Sequence, residues 1–343
     1  MAKVYVGLSG GVDSAVAAHL LLREGHTVIG AFIKGWEPDF LPCTGTADRL
    51  SAMRVAAHLG IPFETVDLEA EYKRDVVDYF VHEYKEGRTP NPDVACNRFI
   101  KFGSFWQYAK KNGADFIATG HYADIHGNED MFTLHRSRDQ EKDQSYFLWT
   151  LSYEDLAHIR MPLGKYRKSE VRALARRIKL PNADRRDSQG LCFLGHVNMH
   201  DFLIRTIGRK SGQVMSPTGE VLGEHDGVHL YTLGQRVPVM RGERYYVVEK
   251  RSEKNELVAA PTIDTAPKTQ YRLSGLHYVS GAPTTQSLEA QYRYHGPTVE
   301  ATIEKDVITF KEPILAAQGQ SVVLYALKGT EMLGGGIIEQ WLK

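Results

Sequence analysis

The stretch VYVGLSGGVDSAVAAHLL, Val4 to Leu21, runs from an apolar strand through two consecutive glycines straight into a helical pattern. A helix N-terminus presents unpaired amides and the positive end of the macrodipole, so a strand, a Gly-rich turn and a helix together make an anion site. Gly10 and Gly11 let the main chain approach an anion and take positive φ, while Ser9 and Ser14 add hydroxyl donors. Asp13 offers a carboxylate for a magnesium ion. No Gly-Lys-Ser/Thr follows, which excludes a Walker loop, and the glycine spacing is not that of the dinucleotide fingerprint. Turn chemistry alone also allows a tight strand-to-helix turn capped by Ser9 or Asp13.

Residues 1 to about 200 repeat this alternation. Val4–Leu8, Thr27–Phe32, Phe63–Val66 and Phe116–Thr119 read as strands, with helices over Ser14–Glu24 and Arg49–Leu59 between them. The pattern predicts an α/β fold, a doubly wound parallel sheet whose ligands bind at the carboxyl ends of the strands. After about residue 204 turn signals such as Ser216-Pro217-Thr218-Gly219 and period-two stretches such as Thr298–Ile303 predict small β-domains joined near Pro267. The expected division is 1–203, 204–268 and 269–343. At 343 residues, with 42% hydrophobic and 24% charged content, the chain suits a globular protein of two or three domains. Neither a membrane span nor a signal sequence is evident, so a cytoplasmic location is expected.

The three cysteines, Cys43, Cys96 and Cys192, are too few for a disulfide framework. In GRTPNPDVACNRFIKFG, Gly87 to Gly103, the prolines enforce an extended loop and Phe99, Phe102, Phe105, Trp106 and Ala109 recur at helical spacing. A helix therefore starts near Asp93, which as N-cap would put Cys96 at the third helical position, where the dipole lowers a thiol's pKa and the Asp93 carboxylate opposes it. Cys192 lies in DSQGLCFLG, a polar, Gly-containing loop, and so is a candidate nucleophile. Cys43 is assigned a structural role.

Ser9-Gly10-Gly11-Val12-Asp13-Ser14 resembles the pyrophosphate loop of the N-type ATP pyrophosphatases, the adenine nucleotide alpha hydrolase-like enzymes that split ATP between its α and β phosphates. GLSGGVDSAVAAHLL, GRTPNPDVACNRFIKFG, ATGHYA, KDQSYFL, DSQGLCFLG, YTLGQR and LGGGIIEQ, in that order along essentially the whole chain, are similar to blocks of the tRNA-specific 2-thiouridylase (MnmA) family. The resemblance implies a pyrophosphate-loop domain, a small central β-rich domain and a C-terminal β-barrel that contacts tRNA. It implies ATP, with magnesium, as cofactor, held by Gly7, Leu8, Ser9, Gly10, Gly11, Val12, Asp13, Ser14, Ile33 and Gly120. Cys192 would carry a persulfide received from a sulfur-relay or cysteine desulfurase protein. Cys96 would form a disulfide with it as sulfur leaves, and Asp93 would act as general base. Asn91, Pro92 and Asp93 would meet the target base, the wobble uridine of a tRNA anticodon. His121, Lys142, Asp143, Gln144, Tyr292, Arg293 and Gln340 would meet the rest of the tRNA.

Three departures from the family pattern stand out: Ile33 where Met is common, Gln291 where Arg is frequent, and Pro238 and Met240 where glycines are usual. Independently of the resemblance, 160–187 holds ten Lys or Arg against three Asp or Glu, a basic stretch able to track phosphates. Three rival readings remain at this level. One is a pyrophosphate-loop synthetase that traps an adenylate with ammonia, and another is a noncatalytic RNA-binding protein. The third is thiolation through an iron–sulfur cluster on Asp93, Cys96 and Cys192. Zinc lacks its usual Cys-x-x-Cys pair, and no dedicated protein metal site is expected.

Overall fold

The computed structural model describes residues 1–38, 40, 45–127, 131–186, 199–237, 239, 244–263 and 268–342. Cys43, Cys192 with its DSQGLCFLG stretch, Pro238, Met240 and Pro267 lie outside the described residues.

The first sheet is built from β1 (Lys3–Gly7), β2 (Thr27–Lys34), β3 (Phe63–Asp67), β4 (Phe116–Ala118) and, after a hairpin that joins another sheet, a last short strand, Ile159–Arg160. All neighbours are parallel, and the order β3-β2-β1-β4 followed by Ile159–Arg160 reverses direction at β1. This is the doubly wound sheet the alternation predicts, and its switch point lies between β1 and β4, where such sheets bind ligands. The period of two sorts β1 onto both faces. Val4 and Val6 pack with Ala15, Val16 and Leu21 of helix α1 (Val12–Arg23) and with Val55 of helix α2 (Gly45–Leu59), whereas Tyr5 joins the core on the opposite face with Ile29, Ile100 and Phe105.

The hairpin is formed by β5 (Ala123–Gly127) and β6 (Phe132–Arg136), which lie in the first 200 residues yet belong to the last sheet. A central sheet comprises β8 (Gly212–Met215), β9 (Val221–His225), β10 (Arg236–Val237), β11 (Tyr245–Arg251) and β12 (Glu256–Ala260), counting Ile159–Arg160 as β7. The Ser216–Gly219 turn joins β8 to β9, with Gly219 N–H donating to the Ser216 carbonyl. Strands β13 (Lys268–Tyr278), β14 (Ser287–Gln291), β15 (Thr298–Glu304), β16 (Val307–Ile314), β17 (Ser321–Ala326) and β18 (Glu331–Trp341) pair antiparallel in the order β13-β16-β15-β14-β17-β18, and β18 also pairs with β13. That second pairing closes a six-stranded barrel filled by Leu273, Leu288, Ile308, Phe310, Val322, Leu324 and Ile338. Beyond the pairing with β13, β18 carries β6 through Met332 opposite Leu134.

Both β-domains hold the loop that enters GRTPNPDVAC. Lys250 Nζ of β11 donates to the Gly87 carbonyl at 2.8 Å, the Thr89 and Thr232 hydroxyls are hydrogen-bonded, and Thr89 N–H donates to the Gln318 carbonyl at 2.7 Å. Burial lowers the pKa of Lys250 to about 8. Because the unfolded chain keeps a proton on this amine up to about pH 10 and the folded chain gives it up near 8, stability gained from this group rises with pH across that window. Relative to Lys250→Met, the wild-type protein should therefore gain thermal stability between pH 8 and 10, measured as the difference between the two melting curves. A constant difference across that range would contradict the assignment.

Candidate functional site

The turn after β1 is tied together by its own side chains. Ser9 N–H donates to Ser14 Oγ at 3.2 Å, Gly11 N–H to Ser9 Oγ at 3.3 Å, and Ser14 Oγ to the Gly11 carbonyl at 3.3 Å. Gly10 has φ +78°, and Gly11 caps α1 without any side-chain hydrogen bond to the first-turn amides. Those amides stand at the sheet's switch point with the helix dipole behind them, as the anion-site reading requires. Leu8 and Val12 are buried in the core, so they can serve a ligand through their main chain alone. Ile33, at the end of β2, is also buried, and its Cδ1 lies 3.9 Å from where a Cβ on Gly7 would stand.

Across the switch point, Gly120 follows β4. A Cβ there would come within 2.6 Å of Ser14 N and 2.8 Å of the Asp13 carbonyl carbon, so glycine is needed for this segment to close against the start of α1. Asp13 is already engaged: Lys168 Nζ, at the start of helix Lys168–Arg177, reaches both its oxygens at 2.7 Å, and Tyr122 Oη donates to it at 2.8 Å. The carboxylate suggested for magnesium is thus spent on a lysine. Among the described residues no group of three or more His, Cys, Asp and Glu side chains is placed to hold a metal ion.

The turn that carries Cys96 differs from the sequence expectation in one respect. The short helix Pro92–Ala95 is capped by Asn91, whose Oδ1 accepts from Asp93 N–H at 3.1 Å and Val94 N–H at 3.3 Å. Asp93 sits inside the helix at its second position. The physical reason is Pro92: proline favours the first helical position, where it lacks no needed donor, and so pushes the cap back to Asn91. Cys96 is fully buried and opens a π-helical run, Cys96–Ser104, in which Phe105 N–H bonds the Ile100 carbonyl five residues back. The wider turn keeps Ile100, Phe102 and Phe105 inside and leaves Phe99 exposed.

The residues suggested for tRNA fall into two groups. Lys142 and Arg293 are exposed and Gln340 is half-buried, while Tyr292 packs edge-on against Phe310. Of the other three, His121 and Asp143 are buried and Gln144 is half-buried. His121 is buried between Thr119 Oγ1 at 2.8 Å and Lys101 Nζ at 3.4 Å, and burial, then Lys101, pushes its pKa well below the usual histidine value. The imidazole is therefore neutral. Asp143 accepts from Ser145 Oγ at 2.7 Å and Ser137 N–H at 2.8 Å, with burial raising its pKa. Gln144 Oε1 accepts from Tyr122 N–H at 3.0 Å. Asp143 and Gln144 spend these groups on the fold itself. Gln291 is buried and donates to the Gly296 carbonyl at 3.3 Å. The basic stretch 160–187 is likewise partly consumed internally. Arg160 stacks on Phe116 at 3.6 Å, Arg176 pairs with Asp184, Arg172 donates to the Arg185 carbonyl, and Lys168 and Arg185 pair with Asp13 and Asp48.

Four residues near the site carried no signal in the sequence. Lys168 and Tyr122 both donate to Asp13 Oδ1, and Lys101, within the π-helical run, lies 3.4 Å from His121 Nε2. Tyr294, from the barrel, lies 4.3 Å from Phe147 ring to ring, and its pKa rises to about 12 through burial first and then the charges of Asp143 and Asp93. The barrel thereby contributes an aromatic ring beside the Asn91–Cys96 turn.

A nucleotide-type parallel sheet with a glycine loop at its switch point, extended by two β-domains that reach back to its loops, defines the class. Residues 2–196 match the family described as the tRNA methyl transferase HUP domain, 200–261 the tRNA methyl transferase PRC-barrel domain, and 268–338 the aminomethyltransferase beta-barrel domain. The tRNA-specific 2-thiouridylase MnmA of Streptococcus thermophilus is 41% identical over 360 residues, covering 99% of this chain and 96% of that protein. MnmA 1 of Geobacillus kaustophilus is 41% identical over 358 residues, with 99% and 96% covered. The Listeria monocytogenes MnmA is 40% identical over 352 residues, with 98% and 94% covered. The chain belongs to the MnmA family of tRNA-specific 2-thiouridylases.

Gly120→Ala should weaken ATP binding by roughly a hundredfold in calorimetric titration, because displacing the start of α1 moves every loop amide at once. Asn91→Ala should cost about 1 kcal/mol of stability in denaturant unfolding by removing the cap of the Cys96 turn.

Proposed function

We propose that this chain is an ATP-dependent tRNA sulfurtransferase that replaces the C2 oxygen of the wobble uridine with sulfur. The observation that carries the reading is the uncapped start of α1 behind Ser9–Ser14, in a chain whose relatives are 2-thiouridylases over nearly their whole length. A pyrimidine carbonyl oxygen is a very poor leaving group, and adenylation supplies the remedy. The C2 oxygen attacks the α phosphorus of ATP, diphosphate departs, and the oxygen later leaves as part of AMP. Gly7 to Ser14, Ile33 and Gly120 would hold the nucleotide, with magnesium accompanying the phosphates from solution.

Sulfur reaches C2 from a persulfide on Cys192, loaded by a sulfur-relay or cysteine desulfurase protein. Its terminal sulfur attacks C2 and expels AMP. Cys96 then attacks Cys192 Sγ, the sulfur–sulfur bond breaks with its electron pair on the new thiocarbonyl sulfur, and a Cys96–Cys192 disulfide remains for a thiol reductant to reopen. Asp93 takes the proton lost from the base. The family's preference for paired thiols favours this route over an ammonia-trapping synthetase. A tRNA substrate also fits the expected cytoplasmic location.

Nucleoside mass spectrometry of tRNA from cells lacking the protein tests the reading. 2-Thiouridine at the wobble position should disappear, return with the wild-type gene, and stay absent with Cys192→Ser or Cys96→Ser. Normal thiolation in the deletion strain would end the proposal, and iron and acid-labile sulfide in anaerobically purified protein would replace the persulfide with a cluster.

A further inference from the structure

The Gly10 carbonyl accepts three hydrogen bonds, each from a side chain outside its own loop. Ser51 Oγ of α2 donates at 2.9 Å, Asn182 Nδ2 at 2.9 Å, and Arg185 Nη1 at 3.1 Å. Asn182 is buried, and Arg185 is fixed further by an ion pair with Asp48 in the first turn of α2. Two elements thus close on one peptide group, α2 from one side and the turn after helix Lys168–Arg177 from the other. The space is fully used: a Cβ on Gly10 would lie 2.5 Å from the Asp48 carbonyl oxygen and 2.9 Å from Arg185 Nη1.

A carbonyl has two lone pairs and is ordinarily satisfied by one or two donors. Three donors, one of them charged, fix the plane of the Gly10–Gly11 peptide more firmly than local turn chemistry does. In a trans peptide the N–H of the next residue points opposite to the carbonyl. Anchoring the Gly10 oxygen therefore fixes the direction of the Gly11 N–H, which donates to Ser9 Oγ at 3.3 Å, and with it the Ser9 hydroxyl, 3.3 Å from Ser14 Oγ. A loop whose amide and hydroxyl are held in place before a ligand arrives binds an anion without the cost of ordering them.

We propose that Ser51, Asn182 and Arg185 are positioning residues for the diphosphate portion of ATP, acting through the Gly10 carbonyl. The inference rests on the nucleotide reading of the loop. None of the three needs to touch the nucleotide. Their effect is on the orientation of the Gly11 amide, so it falls on ligands that carry the diphosphate and spares those that lack it.

Calorimetric titration of the full-length protein with ATP and with AMP separates the possibilities. Arg185→Gln should weaken ATP binding about tenfold and Ser51→Ala about threefold, with AMP affinity within about twofold of wild type in both. Arg185→Lys, which keeps the charge and one donor, should recover part of the loss. Equal ATP affinity in wild type, Arg185→Gln and Ser51→Ala overturns the proposal, whatever happens to the melting temperature, and so does a parallel loss of ATP and AMP. If Arg185→Gln fails to fold, Ser51→Ala, which leaves the Arg185–Asp48 pair intact, decides. Wild-type protein that binds ATP with the expected split between variants, yet makes no 2-thiouridine, would sink the proposed reaction and leave this inference standing. Wild-type protein that binds no ATP would sink both.

Discussion

A buried carboxylate fastens the two ends of this molecule together. Asp143 is 7% exposed, and an ionised carboxyl group so far from water is stable only when its oxygens are met by donors. Ser137, Ser145 and Arg136 meet them, and the same Ser145 hydroxyl is bonded to Tyr325 Oη in the barrel at 3.1 Å. The Arg136 guanidinium lies 3.5 Å over the Tyr325 ring, while Tyr146 and Trp149 donate to Ser321. Removing one member would strand the others, so the junction holds as a unit. Its rigidity fixes where Tyr294 and Arg293 of the barrel stand relative to the Asn91–Cys96 turn.

The loop that leads into that turn is gripped by its neighbours at Gly87 and Thr89. One contact comes from the central sheet through Lys250 and another from the barrel through Gln318. The nucleotide loop is held in a comparable way at Gly10. In both places a glycine-containing loop has its main-chain polar groups claimed by distant side chains or strands, which is how a segment without regular structure keeps a defined shape. The chemistry proposed for Asp93, Cys96 and ATP depends on such shapes more than on any one side chain.

Much of this was legible in the sequence. The strand, glycines and helix at Val4–Leu21 specified both the sheet and the position of its ligand site, because burial on both faces and the turn left few alternatives. The cap of the Cys96 turn was misread as Asp93 although Pro92 pointed to Asn91. Asp143 and Gln144 entered only through the resemblance, as residues expected to meet tRNA, and nothing local signalled the bonds they make within the fold. Asp143 is buried in a network that reaches Tyr325 of the barrel through Ser145, nearly two hundred residues away, which no local pattern encodes. Lys168 on Asp13 and Arg185 on Gly10 were hidden for the same reason. A basic stretch reads as a charged surface until the fold shows which cations already have anions.

The hairpin β5–β6 has a consequence for how the protein is made. Its outer partner, β18, is synthesised about 200 residues after it, so Leu134 must wait for Met332. At elongation rates of roughly 5–20 residues per second that delay is roughly 10–40 s, far longer than the sheet around β1 needs to form. Throughout that interval on the ribosome one strand edge of a nearly finished domain lies open to any passing chain.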